Sequence, residues 1–186
     1  PEKPARFTHL DLAAIGMVAV ASTIWAMFSQ GAVAGWFLIF AGLLNLIRVS
    51  RWYGWFAWRE PLVFVLHWGY AWLVLALILL GCAALGVGLP KEDAVHALTT
   101  GAVGMMTLGI MTRASLGHTG RQRHADSATI AMYVLVTCGA ILRVFGAGTG
   151  LPTGFVLGAA AFCWSGAYLL FAMVYGPYLL RPSLEE

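Results

Sequence analysis

The segment from His96 to Arg121 carries the residue types best suited to hold a metal or a charged prosthetic group. It reads HALTTGAVGMMTLGIMTRASLGHTGR, one apolar helix pattern with a histidine near each end and a polar close from Thr112 to Arg121. Neutral imidazole is a metal ligand, and an ionisable ring is costly inside a bilayer unless it binds something or finds a partner. Roughly 22 residue steps separate His96 from His118, a rise of about 33 Å and close to the thickness of a hydrocarbon core. The two histidines therefore mark opposite membrane faces. As ligands they serve different sites or take partners elsewhere.

His96, Thr99, Val103, Met106, Ile110 and Arg113 follow a 3-4-3-4-3 spacing and share one helix face, widened by Thr100 and Thr107. A lipid-facing stripe would not carry His, Thr and Arg, so this face is expected to point into a bundle. For the threonines, hydrogen bonding back to their own helix is the plainer account. For His96 the residues leave ligation and polar packing equally open. His67 lies inside the third apolar run with Tyr70 one turn later; a ring buried there is neutral and hydrogen-bonded or binds a metal, and ligation is the favoured role. His118 sits between Gly117 and Gly120, and Arg113, Arg121 and Arg123 form a cationic cluster suited to propionates or another anion. A positive loop with a capping glycine is the alternative; it is adopted for Arg123 and His124, and stands level with ligation for Arg113 and His118. Arg143, late in the fifth run, either snorkels or pairs with a propionate near His96. Snorkelling accounts for Arg48, one turn from Asn45, and helix-dipole stabilisation for Asp11.

A six-coordinate haem needs two axial ligands from different helices at one depth. His67 and His118 share one half of the membrane, with His9 at its edge, whereas His96 has no histidine at its own depth. Its partner is another residue type or comes from outside these residues. Met105, Met106 and Met111 do not share a face, which argues against a copper-binding methionine set. The chain shows no phosphate-binding glycine loop, no His-Glu-x-x-His and no intramembrane carboxylate chain. Pump and hydrolase chemistry are thereby disfavoured. No catalytic base or nucleophile stands out, so the chain reads as a binding protein sooner than an enzyme.

The elements that carry these residues are membrane spans. Of 186 residues 60% are hydrophobic and only 10% charged, too few to cover a water-facing surface, and the mean hydropathy is +0.80. Six helix-length apolar segments are expected, at about His9–Ser29, Val33–Ser50, Leu62–Gly86, Val95–Ser115, Ser127–Ala147 and Gly154–Tyr175. The reading is an all-α polytopic bundle forming a single domain over residues 1–186. Positive charge alternates between loops: Lys3 and Arg6, then Arg48, Arg51 and Arg59, then Arg113, Arg121 and Arg123, then Arg181. The remaining loops hold only Lys91, balanced by Glu92 and Asp93, which places both termini in the cytoplasm. The net charge of +3 is thus a topology signal and implies no nucleic-acid partner. Trp52, Tyr53, Trp55, Phe56 and Trp58 suit interfacial anchoring. Cys82, Cys138 and Cys163 read as small buried packing residues, and Gly154 with Gly158, like Ala97 with Gly101, as close-packing pairs. The Pro1-Glu2-Lys3-Pro4 opening has the character of a linker.

His96-Ala-Leu-Thr-Thr-Gly, followed by Met111-Thr-Arg-Ala-Ser-Leu-Gly-His-Thr-Gly-Arg121, resembles the signature of the NnrS family. His67-Trp-Gly-Tyr-Ala-Trp-Leu is similar to that family's preceding helix, and Tyr175-Gly-Pro-Tyr-Leu-Leu-Arg-Pro to its usual ending. The resemblance implies a multi-pass protein of the bacterial inner membrane that binds haem, of b type, and copper. It further implies a role in the response to nitric oxide, itself a ligand, and in tolerance of nitrosative stress. Family members have about twice as many helices, so the chain resembles the C-terminal half, with an N-terminal half as its natural partner. His67, His96 and His118 are then the expected metal ligands, with Arg113, Arg121 and Arg143 as contacts to haem. The rival readings are half of a transporter or channel, with the polar stripe lining a path, and a structural membrane anchor subunit. Ionisable groups sit near the two faces and leave the midplane empty, which argues against transport.

Overall fold

The computed structural model describes residues 7–28, 30–88 and 90–184; Lys3, Arg6 and Ser29 lie outside them. Six helices are long and apolar enough to cross a membrane: α1 (His9–Met27), α2 (Ala32–Ser50), α3 (Pro61–Ala84), α4 (Lys91–His118), α5 (Ser127–Phe145) and α6 (Thr153–Leu179). All six expected spans are present. α4 is the most extended relative to expectation, reaching back to Lys91 and on to His118. Short 3-10 turns at Gly54–Arg59 and Gly146–Thr149 fill two connections, and no strand occurs among the described residues.

Local chemistry sets the helix ends. Thr8 and Asp11 form a reciprocal capping box at α1, and Pro61 opens α3, where its missing N–H costs nothing. Gly86, Gly120 and Gly150 adopt left-handed φ values of 74°, 65° and 73° and turn the chain after α3, after α4 and before α6. Asp126 caps α5, accepting from the Thr129 backbone N–H and hydroxyl, both at 2.8 Å. The Thr129 backbone N–H is the main reason its carboxyl is held below the ordinary 3.8, against the opposing effect of burial. A lowered folded value contributes stability above the ordinary carboxylate range, lost as pH falls through it. Asp126→Ala is expected to cost about 1 kcal/mol at neutral pH. In unfolding titrations of the detergent-solubilised protein the gap to wild type should close on acidification.

Two cores hold the bundle together. One joins α3, α4, α5 and α6 around Trp72, Met105, Leu108, Met132 and Val136; the other joins α1, α2, α3 and the start of α4 around Ala21, Leu38, Leu77 and Ala94. Lipid is as apolar as these side chains, so close backbone approach and polar links must supply the association. Glycine provides the approach. A Cβ on Gly35 would stand 2.6 Å from Leu85, one on Gly101 2.5 Å from the Trp72 ring, and one on Gly109 2.8 Å from Val65. Gly101→Val would force Trp72 out of its seat, at a cost of about 1–3 kcal/mol. Equilibrium unfolding in mixed micelles measures it. Polar links include a Thr129–Tyr175 hydroxyl pair at 2.7 Å and a Thr112–Tyr133 pair.

Three packing expectations change. Ala97 and Gly101 are buried as expected, but Gly154 and Gly158 would meet nothing within 4 Å and face away from the chain. The cysteines are free thiols; Cys138 is exposed on α5, and Cys82 and Cys163 are only partly covered. The largest correction concerns α4. The stripe expected to point inward is split: Thr99 and Thr107 are exposed and Val103 and Ile110 are each 56% accessible, whereas His96, Met106 and Arg113 are half-buried, Met106 against Gly69 and Arg113 against Leu62 of α3. The buried face is instead Ala97, Gly101, Met105, Leu108, Thr112 and Ser115. Small residues on that face let α3, α5 and α6 approach the α4 backbone, and this sets its rotation.

Candidate functional site

His96 ends the first α-helical stretch of α4, at Lys91–His96, and a π-helical turn, Ala97–Val103, follows directly. Such turns insert one residue and recur at functional sites. Here the turn presents Gly101 to the Trp72 ring and delivers Gly104 against Trp164. Thr99 and Thr100 donate their hydroxyls to the carbonyls of Val95 and His96, at 3.1 and 2.6 Å, which relieves backbone groups that the wider turn strains. The Tyr168 hydroxyl reaches the Gly104 carbonyl at 2.8 Å.

Three buried side-chain nitrogens without a hydrogen-bond partner bracket this turn: His96 Nδ1, Trp72 Nε1 and Trp164 Nε1. They are the only ones of their kind among the described residues. Buried polar atoms are nearly always paired, and each exception calls for a ligand, an ion or a water. Both indoles are donors. Imidazole offers a lone pair on one nitrogen and a proton on the other.

Beside them Arg143 of α5 reaches Asp93 of α4 at 2.8 Å. The pair is partly buried and within electrostatic reach of His96. Of the two roles open to Arg143, snorkelling or a propionate contact, snorkelling gives way to an ion pair that clamps α4 to α5. A cleft of about 260 Å³ opens between α4, α5 and α6 at this end, lined by Thr100, Arg143, Trp164 and Ser165 among others. Its polar lining groups are one cation, an indole and two hydroxyls, with no carboxylate among the described residues.

At the other end of the bundle the arginines gather. His67, half-buried on α3, donates Nδ1–H to the Val63 carbonyl at 3.1 Å, which fixes the tautomer and leaves the Nε2 lone pair for a ligand. Gly54, in the turn after α2, packs directly on the imidazole where any side chain would collide, and the Trp52 ring meets its edge at 6.0 Å. The same Trp52 ring lies 4.7 Å from Tyr70, with the Arg48 guanidinium 5.0 Å above it. Arg48 Nε then donates to Asp11 at 3.0 Å, its Nη1 donates to the Tyr70 hydroxyl at 2.7 Å, and Tyr70 donates to Asn45. Asn45 donates in turn to the carbonyls of Ala41 and Ala14, and Arg51 joins Asp11 at 3.6 Å. Asp11, Arg48 and Asn45 are therefore one buried network across α1, α2 and α3: Asp11 keeps its first-turn position at the start of α1 and adds an ion pair, and Arg48 is held in the bundle in place of snorkelling.

The other expected site residues lie singly. Arg113 donates to the Leu62 carbonyl at 3.2 Å; Arg121 donates to the Thr119 carbonyl and stacks 4.2 Å from the Tyr178 ring centre. His118 is exposed at the end of α4. The helices α3 and α4 run antiparallel, with Trp72 on Gly101, Gly69 on Met106, Val65 on Gly109 and Leu62 by Arg113. His67 is thus level with Thr107, about 16 Å along α4 from both His96 and His118 at helical rise. The three histidines occupy three depths. The described residues bring no three His, Cys, Asp or Glu side chains together as a metal cluster. A larger groove, about 460 Å³, runs between α3 and α5 over Met105, and its lining contains no histidine among the described residues.

Sequence reasoning missed Trp72, Trp164 and the Asp93–Arg143 and Asp11–Arg48 pairs. The β-branched Thr99-Thr100 ahead of Gly101 was a signal for an irregular helix; the tryptophans gave none, because a lone aromatic in an apolar run looks like packing. A family model described as NnrS protein matches residues 1–183. No curated protein and no solved structure matches the chain.

Proposed function

The chain belongs to the NnrS family, whose model spans residues 1–183, and from that premise we propose that it is a haem- and copper-binding protein of the nitric oxide response. On this reading it helps cells tolerate nitrosative stress. Its place is the bacterial inner membrane, with both termini in the cytoplasm and this chain as the C-terminal half of a longer protein. The six apolar helices support the membrane location. The observation that carries the metal reading is the group of three unpartnered buried nitrogens around the π turn. A buried imidazole nitrogen without a hydrogen bond suits a metal, and the Trp72 and Trp164 rings meet the same turn at Gly101 and Gly104.

His96 is the first ligand proposed. His67, about 16 Å from His96 along the bundle at helical rise, is the second and serves a site of its own, with Nδ1 already committed to Val63 and the Nε2 lone pair left for coordination. His118, exposed next to Arg121, is the third and serves a separate site at the arginine-rich end. Arg143 keeps part of its guanidinium fork beyond the Asp93 bond and would hold a propionate next to His96, while Arg113 and Arg121 would do so at the opposite end. Haem, when bound, would supply iron chemistry towards nitric oxide; His96 would coordinate it, Arg143 would meet its negative charge and the surrounding helices would keep water away.

The test is the optical spectrum and metal content of the protein purified from haem-replete cells. A Soret band with stoichiometric iron or copper is the expected result. Protein that folds, as judged by circular dichroism, yet carries neither metal would end the proposal.

A further inference from the structure

The groove between α3 and α5 lies apart from the π turn and its histidine. Trp58, Phe64 and Trp68 form one wall and Ile130 and Val134 the other, with buried Met105 at the back. The Phe64 and Trp68 rings stack within 14° of parallel. Both walls are exposed along the flank that meets the bilayer. Along α3 the groove runs from Pro61 to Trp68 and along α5 from Ile130 to Cys138, about 10–12 Å at helical rise. It thus starts at the arginine-rich end and stops near the middle of both helices, within the roughly 15 Å of one leaflet of hydrocarbon. Its hydroxyls are already committed: Thr137 donates to the Tyr133 carbonyl at 2.7 Å, and the Tyr133 hydroxyl bonds Thr112. Along its length the guest it suits is hydrocarbon.

We propose that this groove holds one acyl chain of an anionic phospholipid, whose phosphate rests on Arg59. The Arg59 guanidinium lies over the Trp58 ring, 5.0 Å from its centre, and so stands at the outer end of the groove. No described carboxylate pairs with it. Glu60, next in the chain, is exposed and lies outside the lining. Arg113 adds positive potential at the same end, within electrostatic reach of Tyr133. Basic pockets between membrane helices on the cationic side recognise acidic headgroups. A packed helix is a poorer occupant. Membrane helices meet through small residues, and the lining carries no glycine, alanine or serine. The proposal is independent of the metal reading.

The experiment is native mass spectrometry of the whole chain purified in a mild detergent. One retained phospholipid per chain is expected, with phosphatidylglycerol displacing phosphatidylcholine when both are added. Val134→Trp fills the groove from its exposed rim and should abolish that adduct, whereas Leu169→Trp, on the lipid face of α6, should keep it. Ile130→Trp repeats the test should Val134→Trp fail to fold, as judged by circular dichroism. Arg59→Gln should keep an adduct and lower the preference for phosphatidylglycerol about fivefold, the worth of one arginine near an acidic surface. A wild-type chain without retained lipid, an equal response of the Val134→Trp and Leu169→Trp proteins, or an unchanged headgroup preference in Arg59→Gln would overturn the proposal. A photoreactive benzoylphenylalanine at position 134 captures the occupant directly. Cross-linking to phospholipid supports the proposal, and cross-linking to a polypeptide overturns it.

Discussion

Asp11→Asn is expected to lower the unfolding temperature of the purified protein further than any other single substitution at a polar position. The change preserves shape and removes one charge. Asp11 is 5% exposed and answers both Arg48 and Arg51. Without it two guanidinium groups face one another at the end of an apolar bundle, and breaking a buried pair from one side is worse than removing both partners. The loss spreads, because Arg48 also positions Tyr70, and Tyr70 positions Asn45, whose amide links α1 to α2. Asp11→Asn combined with Arg48→Gln is therefore expected to recover part of the stability lost by Asp11→Asn alone. Thermal melts of the four proteins in one detergent give the coupling directly. Simple additivity would show that the carboxylate acts on the helix end alone.

That network marks where sequence reading stops. The place of Asp11 in the first turn of its helix is local and was legible as a helix-dipole role; the capping box with Thr8 appears in the structure. Its pairing with Arg48 spans 37 residues, and no single-chain pattern reports which helices become neighbours. Spans were legible because length and hydropathy are properties of each segment by itself. Rotation of a span was not. Spacing showed that Thr99, Val103 and Ile110 share a face, but in a bilayer hydrophobicity does not say which face turns inward, since both sides of the helix meet apolar matter. The glycines say it instead: Gly101, Gly104 and Gly109 lie on the other side of α4 and admit Trp72, Trp164 and Val65. Reading small residues ahead of polar ones would have oriented α4 correctly. The histidines stood out as candidates by type, and the separation of His96 from His118 followed from helix length; His67, expected in the same half as His118, lies level with Thr107 about 16 Å from it at helical rise, and the unpartnered Nδ1 of His96 needed coordinates.

His96→Ala is expected to lower the haem or metal content of the purified protein by at least about tenfold, the lower end of what losing a partner of a metal ligand costs and so a floor for loss of a direct ligand. Its effect on folding should be small by comparison. No hydrogen bond joins His96 Nδ1 to the protein, so the substitution orphans no buried partner and removes a polar atom that burial leaves unpaid. A residue that mattered for packing would behave in the reverse way, losing stability and metal together. The Asp93–Arg143 clamp gives an internal control. Arg143→Gln should weaken the α4–α5 contact and any propionate contact while leaving the imidazole in place, so absorbance bands ought to shift or broaden before metal is lost. His118→Ala, at the far end of the same helix, should leave the His96-dependent spectrum unchanged. Metal analysis, optical spectra and melting curves on these three variants separate a ligand from a scaffold residue: His96→Ala with full metal content and an unaltered spectrum would take His96 out of the site.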